Sequence, residues 1–289
     1  RGKFSGFTAP YFDDQGRKIV VKGDAKPLPN GQIELTPGII ETYVVTASGT
    51  NKDMIVEAPH CVLDQKSGVA SSAGVLTVRT VDERFSIQGK GFRWQPSDSR
   101  LQISNEVHAT IRTVAGGMQS PILVPSTSAP LVSPGSSKLQ PEPTNSLPTK
   151  PAAVEIRSSQ FDSTSAFAVF RGNVRAQQQG ATLSCGVLTA TFVPGGSAVQ
   201  QIEAEQQVVF EQKEARTTGE KAVYLPKEDI ITLTGSPTWK AGGKEGGGDS
   251  IRIWEAVTGT LVRAVGVGGE AGPLVISPDG TTLACVTGE

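Results

Sequence analysis

Residues 170–192 read FRGNVRAQQQGATLSCGVLTATF, and residues 202–237 read IEAEQQVVFEQKEARTTGEKAVYLPKEDIITLTGSP. Both stretches repeat one grammar: an alternating apolar/polar run, a turn rich in Gly, Asn or Lys, and another alternating run. A period of two sends alternate side chains to opposite faces, so each run is a half-buried β-strand and each pair a hairpin. A ladder of such hairpins makes a long antiparallel sheet with one apolar face and one wet face. That surface suits holding apolar cargo better than bond chemistry.

The same grammar extends in both directions. Between residues 4 and 113, KIVVKGDAK and GQIELTPGII flank Asn30-Gly31, two residues that tolerate positive φ and so mark a hairpin. TYVVTAS, DMIVEAPHCVLDQ, GVLTVRTV, RFSIQGKGFRWQ and RLQISNEVHATIRT follow as further strands. No segment sustains an i, i+3, i+4, i+7 apolar pattern, which predicts almost no helix. Residues 114–152 break the pattern with eight of the chain's 19 prolines and many Ser and Thr. Proline cannot donate to a sheet ladder, so this stretch is expected to be an extended linker. Strands resume over 153–266. Over 249–289 strands are expected to flank turns at Thr258-Gly259 and Pro278-Asp279-Gly280, with 267–289 as an extra hairpin tail. An internal echo aligns the run from Met54 with the run from Gln201: Glu57-Ala58 and Gln65-Lys66 match Glu203-Ala204 and Gln212-Lys213, as two copies of one β unit would.

Composition narrows the function. The 289 residues are enough for two average domains; 37% are hydrophobic and 19% charged, and net charge is -1. Lys and Arg are scattered, leaving no basic stripe for nucleic acid. Cys61, Cys185 and Cys285 lack zinc spacing, although one bridge, Cys61 to Cys185, is compatible with the sequence. No apolar run approaches the roughly 18 residues of a membrane span. The first residues lack the apolar core of a signal peptide, as in a cytosolic chain or one trimmed to its mature part.

Candidate chemistry is sparse. His60 and Cys61 are strand neighbours and point to opposite faces, so they cannot form a nucleophile pair. Gly242 to Gly248 lacks the Gly-Lys-Ser/Thr ending of a phosphate loop and reads as a flexible hairpin loop. Glu203, Glu205, Glu211, Glu228 and Asp229 alternate with apolar residues and belong to a solvated face. Neither a catalytic group, a cofactor nor a metal site is expected. The apolar face is the candidate: Val174, Leu183, Leu188, Phe192, Ile202, Ala204, Val208, Phe210, Val223, Leu225, Ile231 and Leu233 can share one side. The residues leave two uses open, a closed sandwich core or an open groove for acyl chains.

The order of short words across 155–266 resembles the OstA-like periplasmic lipopolysaccharide-transport family. Those words are Phe170-Arg171-Gly172-Asn173-Val174, Thr182-Leu183, Ile202-Glu203-Ala204, Val208-Val209-Phe210, Ala215 to Gly219, Ala222-Val223-Tyr224 and Leu233-Thr234-Gly235-Ser236-Pro237. The second unit is LptA-like; the first, over 4–113, is more faintly LptC-like. The resemblance implies an all-β architecture of two β-jellyroll or β-taco units of antiparallel strands, joined by the Pro-rich linker. It implies a periplasmic, non-enzymatic protein that binds lipopolysaccharide or a similar lipid along the apolar groove. Its implied partners are other jellyroll components of a bridge between the membranes, or head-to-tail copies of itself, reached by edge-strand pairing. The alternative is a structural scaffold without lipid cargo. Ile251-Arg252-Ile253-Trp254 and Ile276-Ser277-Pro278-Asp279-Gly280 also resemble pieces of one WD40 blade, which would make the tail the start of an interaction module.

Overall fold

The structure is a computed structural model. It describes residues 4–12, 16–46, 49–112, 153–178, 180–194, 198–226, 230–241, 244–248, 250–254, 263–267, 271–276 and 283–287. The linker expected over 114–152 and the turns at Thr258-Gly259 and Pro278 to Gly280 lie outside the described residues.

Nearly every described residue is in a strand. The first half holds β1 (Phe4–Phe12), β2 (Lys18–Pro27), β3 (Gln32–Leu35), β4 (Gly38–Thr46), β5 (Gly49–Ala58), β6 (Cys61–Asp64), β7 (Ala70–Thr80), β8 (Phe85–Gln95) and β9 (Arg100–Arg112). The second holds β10 (Ala153–Ser158), β11 (Gln160–Ser163), β12 (Phe167–Gln178), β13 (Ala181–Phe192), β14 (Val199–Gln212), β15 (Ala215–Leu225), β16 (Ile230–Thr234) and β17 (Thr238–Ala241). Beyond these come β18 (Lys244–Gly247), β19 (Ser250–Trp254) and β20 (Arg263–Val267), then a separate hairpin of β21 (Ala271–Ile276) with β22 (Leu283–Thr287). The one helical turn among the described residues is Pro29–Gly31, where Asn30 (φ 67) and Gly31 (φ 76) close the hairpin that the sequence marks.

Strands β1 to β20 form a single antiparallel sheet, a meander in which each span is bent in the middle. The bend is marked by pairing irregularities in many of the long strands. Pairing register slips between Phe4 and Phe7, Ser72 and Val75, Gln88 and Lys90, Arg171 and Val174, Ser184 and Val187, and Glu205 and Val208. Where the bend is sharper the strand divides: β3 from β4, β5 from β6, β10 from β11 and β16 from β17. Bulges increase local bending, and a row of them at one height creases the sheet.

The crease separates two arms. Residues 39–43 of β4 and 208–212 of β14 lie in one arm; β3, β6, β11, β16 and residues 199–205 of β14 lie in the other. The first arm runs β2–β4–β5–β7–β8–β9–β10–β12–β13–β14–β15–β17 and the second runs β2–β3–β6–β7–β8–β9–β11–β12–β13–β14–β15–β16–β19. Inward side chains of both arms merge into one core that runs from Ile19 to Leu233 without interruption.

The two sequence halves are therefore edge-to-edge neighbours in one sheet. β9 pairs with both β10 and β11, and Arg100 holds Asp162 across this seam through two hydrogen bonds of 2.9 and 2.7 Å. Hydrogen bonding by the Arg100 guanidinium keeps the Asp162 carboxyl below the usual range. The internal echo takes on a different meaning in this setting. The run from Met54 crosses from the first arm to the second through β5 and β6, whereas the run from Gln201 crosses in the opposite sense through β14. The two runs share hairpin grammar but cannot be superposed by sliding along the crease. Ser250–Trp254 pairs with β16 and so extends the same sheet, rather than beginning a propeller blade.

Candidate functional site

The feature with the most chemical character is the trough between the arms. Its lining follows from strand parity. In β14, Ile202, Ala204, Val208 and Phe210 point inward and are buried, while Glu203, Glu205 and Glu211 point out. Lys221 bridges Glu203 and Glu205 at 3.1 and 3.2 Å, and Arg216 pairs with Glu211. Exposed pairs of this kind contribute little to stability but keep the convex face solvated. Glu228 and Asp229 lie outside the described residues.

Parity then changes at the crease. In β13, Leu183 and Cys185 point inward below the slip, and Leu188 points inward above it. In β15, Thr217 points inward below it. Above it Ala222 faces Ala204 and Leu233, and Tyr224 faces Ile202 and Ile231. Directly opposed residues share a face of the sheet. Val223 is opposed to Glu203 and Thr232, and so stands on the outer face. Leu225 shares that face. This corrects the expectation that both line the groove; the extra step at Glu220 moves them out.

Of the twelve expected lining residues, Val174, Leu183, Leu188, Ile202, Ala204, Val208, Phe210 and Leu233 are buried within the core. Ile231 is half-buried against it, and Phe192 sits at the mouth opposite Val199. Sequence reasoning missed Phe161 and Phe170, an inward ring pair 4.9 Å apart, together with Tyr224 and Trp239. Phe161, flanked by Gln160 and Asp162, could have been found from alternation; Phe170 follows Ala168 and Val169 and carries no such signal.

The mouth differs along its length. In the first half the β1–β2 hairpin reaches across it. Arg17 Nη2 donates to Ser99 Oγ at 2.8 Å, and the Tyr11 ring lies so close to Gly68 that an added Cβ would be 2.9 Å away. Burial, assisted by the Asp64 charge, raises the Tyr11 phenol pKa. At the end beside β1 the trough is hollow, with a cavity of about 360 Å³ bordered by Phe7, Ala25 and Ile33. Larger hollows of about 700 and 490 Å³ lie on the convex side of the crease, beside Ser72, Gly91 and Ser104 and beside Lys90 and Ser159.

The remaining candidates take structural places. His60 faces out to Glu34 Oε1 at 2.9 Å, while Cys61 is buried. Cys61 and Cys185 are free thiols, not bridged to each other, and burial pushes them up to about 11 and about 12. Among the described residues no group of three His, Cys, Asp or Glu could hold a metal ion. No described helix is long and apolar enough to cross a membrane.

No curated protein matches the chain. Among solved structures, LptH of Pseudomonas aeruginosa, described as the LptA-homologous periplasmic component of the lipopolysaccharide transport device, is 16% identical with a TM-score of 0.35. The alignment covers 47% of this chain and 95% of that one. Residues 154–256 match the family described as LptA/(LptD N-terminal domain) LPS transport protein. Those residues are similar to that family, and they lie within an all-β sheet that continues beyond them on both sides.

Proposed function

We propose that this is a periplasmic lipid carrier: the trough takes the acyl chains of lipopolysaccharide, or of a similar amphiphile, and leaves the head group outside. The observation that carries the reading is the segregation of faces. Apolar side chains from both arms meet inside the bend, while charged ones stand outside it. An arm of about five residues is roughly 16 Å deep at ~3.3 Å per residue, a depth that suits an acyl chain. Each methylene buried there contributes about 0.8 kcal/mol, so a chain binds without a specific polar contact. The lining is Val174, Leu183, Leu188, Ile202, Ala204, Val208, Phe210 and Leu233, with Phe192 and Ile231 at the mouth. The mouth residues meet cargo first; the deeper ones are exposed to it as the arms part.

The two units, 4–113 and 153–266, act as one conduit, because their shared sheet makes the trough continuous across the seam. The hollow end beside β1 and the outer edge of that strand, unpaired among the described residues, give a neighbour a place to add strands. Other jellyroll components, or a second copy, would then extend the groove by edge pairing. The whole is a binding and transfer device and not an enzyme.

Mass spectrometry of the purified chain for co-isolated or added lipopolysaccharide tests the reading. Bound lipid is expected for the native protein, with loss of binding in Phe210→Asp. A correctly folded chain that retains no lipid and binds none on titration favours the scaffold alternative.

A further inference from the structure

On the outer face of the sheet, directly opposed charges are matched in sign. Lys26 stands against Glu34, Glu205 against Lys221, Glu211 against Arg216 and Lys240 against Glu245. Arg216 also faces Lys240, but each has its own glutamate. The seam between the halves departs from this pattern. His108 of β9 is opposed to Arg157 of β10, which is opposed in turn to Arg175 of β12. Gln88 and Ser184 continue the row on either side, so no acid stands in it. Among the described residues Arg157 has no hydrogen-bond or ion-pair partner, and Arg175 donates only to the Gln177 amide oxygen, at 3.2 Å. Glu155 lies 3.7 Å from His108 Nε2 and pairs with neither arginine.

Like charges directly opposed destabilise a sheet, so this row breaks a rule that the rest of the outer face keeps. The opposed Cβ atoms of Arg157 and Arg175 stand about 5 Å apart, close enough for both guanidiniums to donate to one tetrahedral oxyanion. Arg175 is two residues from Asn173 at the bend, roughly 7 Å away at ~3.3 Å per residue, so the pair sits at the crease and opens away from the trough. It does not serve the head group of a molecule held inside. A hollow of about 490 Å³ continues from the row along the same strands: Ser158 and Ser159 follow Arg157, Asn105 and Glu106 precede His108, and Lys90 closes it. Lys90 holds Glu106 at 2.7 Å, so the one carboxylate there is already neutralised.

We propose that Arg157 and Arg175 form an oxyanion site for a phosphate monoester, whose substituent lies in the adjoining hollow. A phosphate monoester brings nearly two negative charges and three free oxygens, matching two guanidiniums, where a carboxylate matches one. The ester is either a small soluble molecule or the head group of a lipid surface; the chemistry at the two arginines is the same. His108, Arg157 and Arg175 are far apart in sequence, and only strand pairing gathers them.

The test titrates the full chain, at constant ionic strength in chloride, with glycerol 1-phosphate and with phosphatidylcholine vesicles that contain or lack phosphatidic acid. Saturable binding of the soluble ester, or of the vesicles only when phosphatidic acid is present, is expected, and which of the two occurs identifies the source. Arg157→Gln and Arg175→Gln should each weaken it about five- to tenfold, the loss of one charge-assisted hydrogen bond. Both should fold at least as stably as the native chain, because each removes an opposed like charge; a denaturant midpoint checks this. Arg93→Gln, an exposed outer-face arginine opposed to Ser71 and Gln102, should leave binding unchanged. Binding of neither probe overturns the proposal. So does binding that survives both arginine variants, that falls equally in Arg93→Gln, or that does not depend on phosphatidic acid in the vesicles.

Discussion

Replacing Gly172 with alanine tests whether the crease is a structural requirement. Gly172 has φ +77, and a Cβ there would lie 2.8 Å from Ser159 Oγ and 2.9 Å from Ser159 Cβ. The left-handed conformation costs an L-residue about 1–2 kcal/mol. Forcing Ser159 aside adds about 1–3 kcal/mol. Against this, alanine restricts the unfolded chain and returns about 0.4–1 kcal/mol. The net expectation is a loss of about 2–4 kcal/mol in urea or guanidinium unfolding. Gly180 is the control, because its φ of +83 is similar but nothing lies within 4 Å of an added Cβ. Gly180→Ala shares the conformational and unfolded-state contributions and lacks the contact, so it should lose about 1 kcal/mol or less. Equal losses in the two variants would show that strands β11 and β12 do not approach each other at the crease as described.

Register in β15 and β16 predicts that Leu233→Ala, at a fully buried inward site, loses about 2–5 kcal/mol, whereas outward Val223→Ala loses under about 1 kcal/mol; denaturant midpoints read both. Glu41 gives a pH dependence. Burial alone would raise its carboxyl, but Lys22 at 2.6 Å, Lys52 and Tyr43 outweigh this and hold it at about 2 against 4.5 unfolded. The depressed folded value means that its contribution, roughly 2–3 kcal/mol, is present above pH 4.5 and is lost as pH falls towards 2. Glu41→Gln should flatten the stability profile in that window. In a Cys285→Ser background, Cys61 and Cys185 should react with a thiol reagent only on unfolding, at a rate that follows denaturant concentration.

Much of this organisation is written in alternation. Ile202, Ala204, Val208 and Phe210 are interleaved with glutamates, so the inward face of β14 is legible directly. The crease is harder to read. Gly172-Asn173 and Gly235-Ser236 advertise backbone freedom, but Gln206-Gln207 adopts positive φ with no sequence signal at all. Val223 and Leu225 mislead because Ala222, Val223, Tyr224 and Leu225 are apolar in both phases, and only the slip opposite Glu205 chooses between them. The union of the two halves was also out of reach, since β9 and β10 are separated in sequence by the proline-rich stretch and meet only through long-range pairing.

The central claim is that lipid occupies the inner face of the bent sheet. Photo-crosslinking side chains placed singly at Phe210, Ile231 and Val223, each irradiated with lipopolysaccharide, test it most directly. The account predicts lipid adducts at Phe210 and Ile231 and none at Val223, which is next to a lining residue in sequence but stands on the opposite face. Adducts at Val223 with none at Phe210 or Ile231 would contradict it.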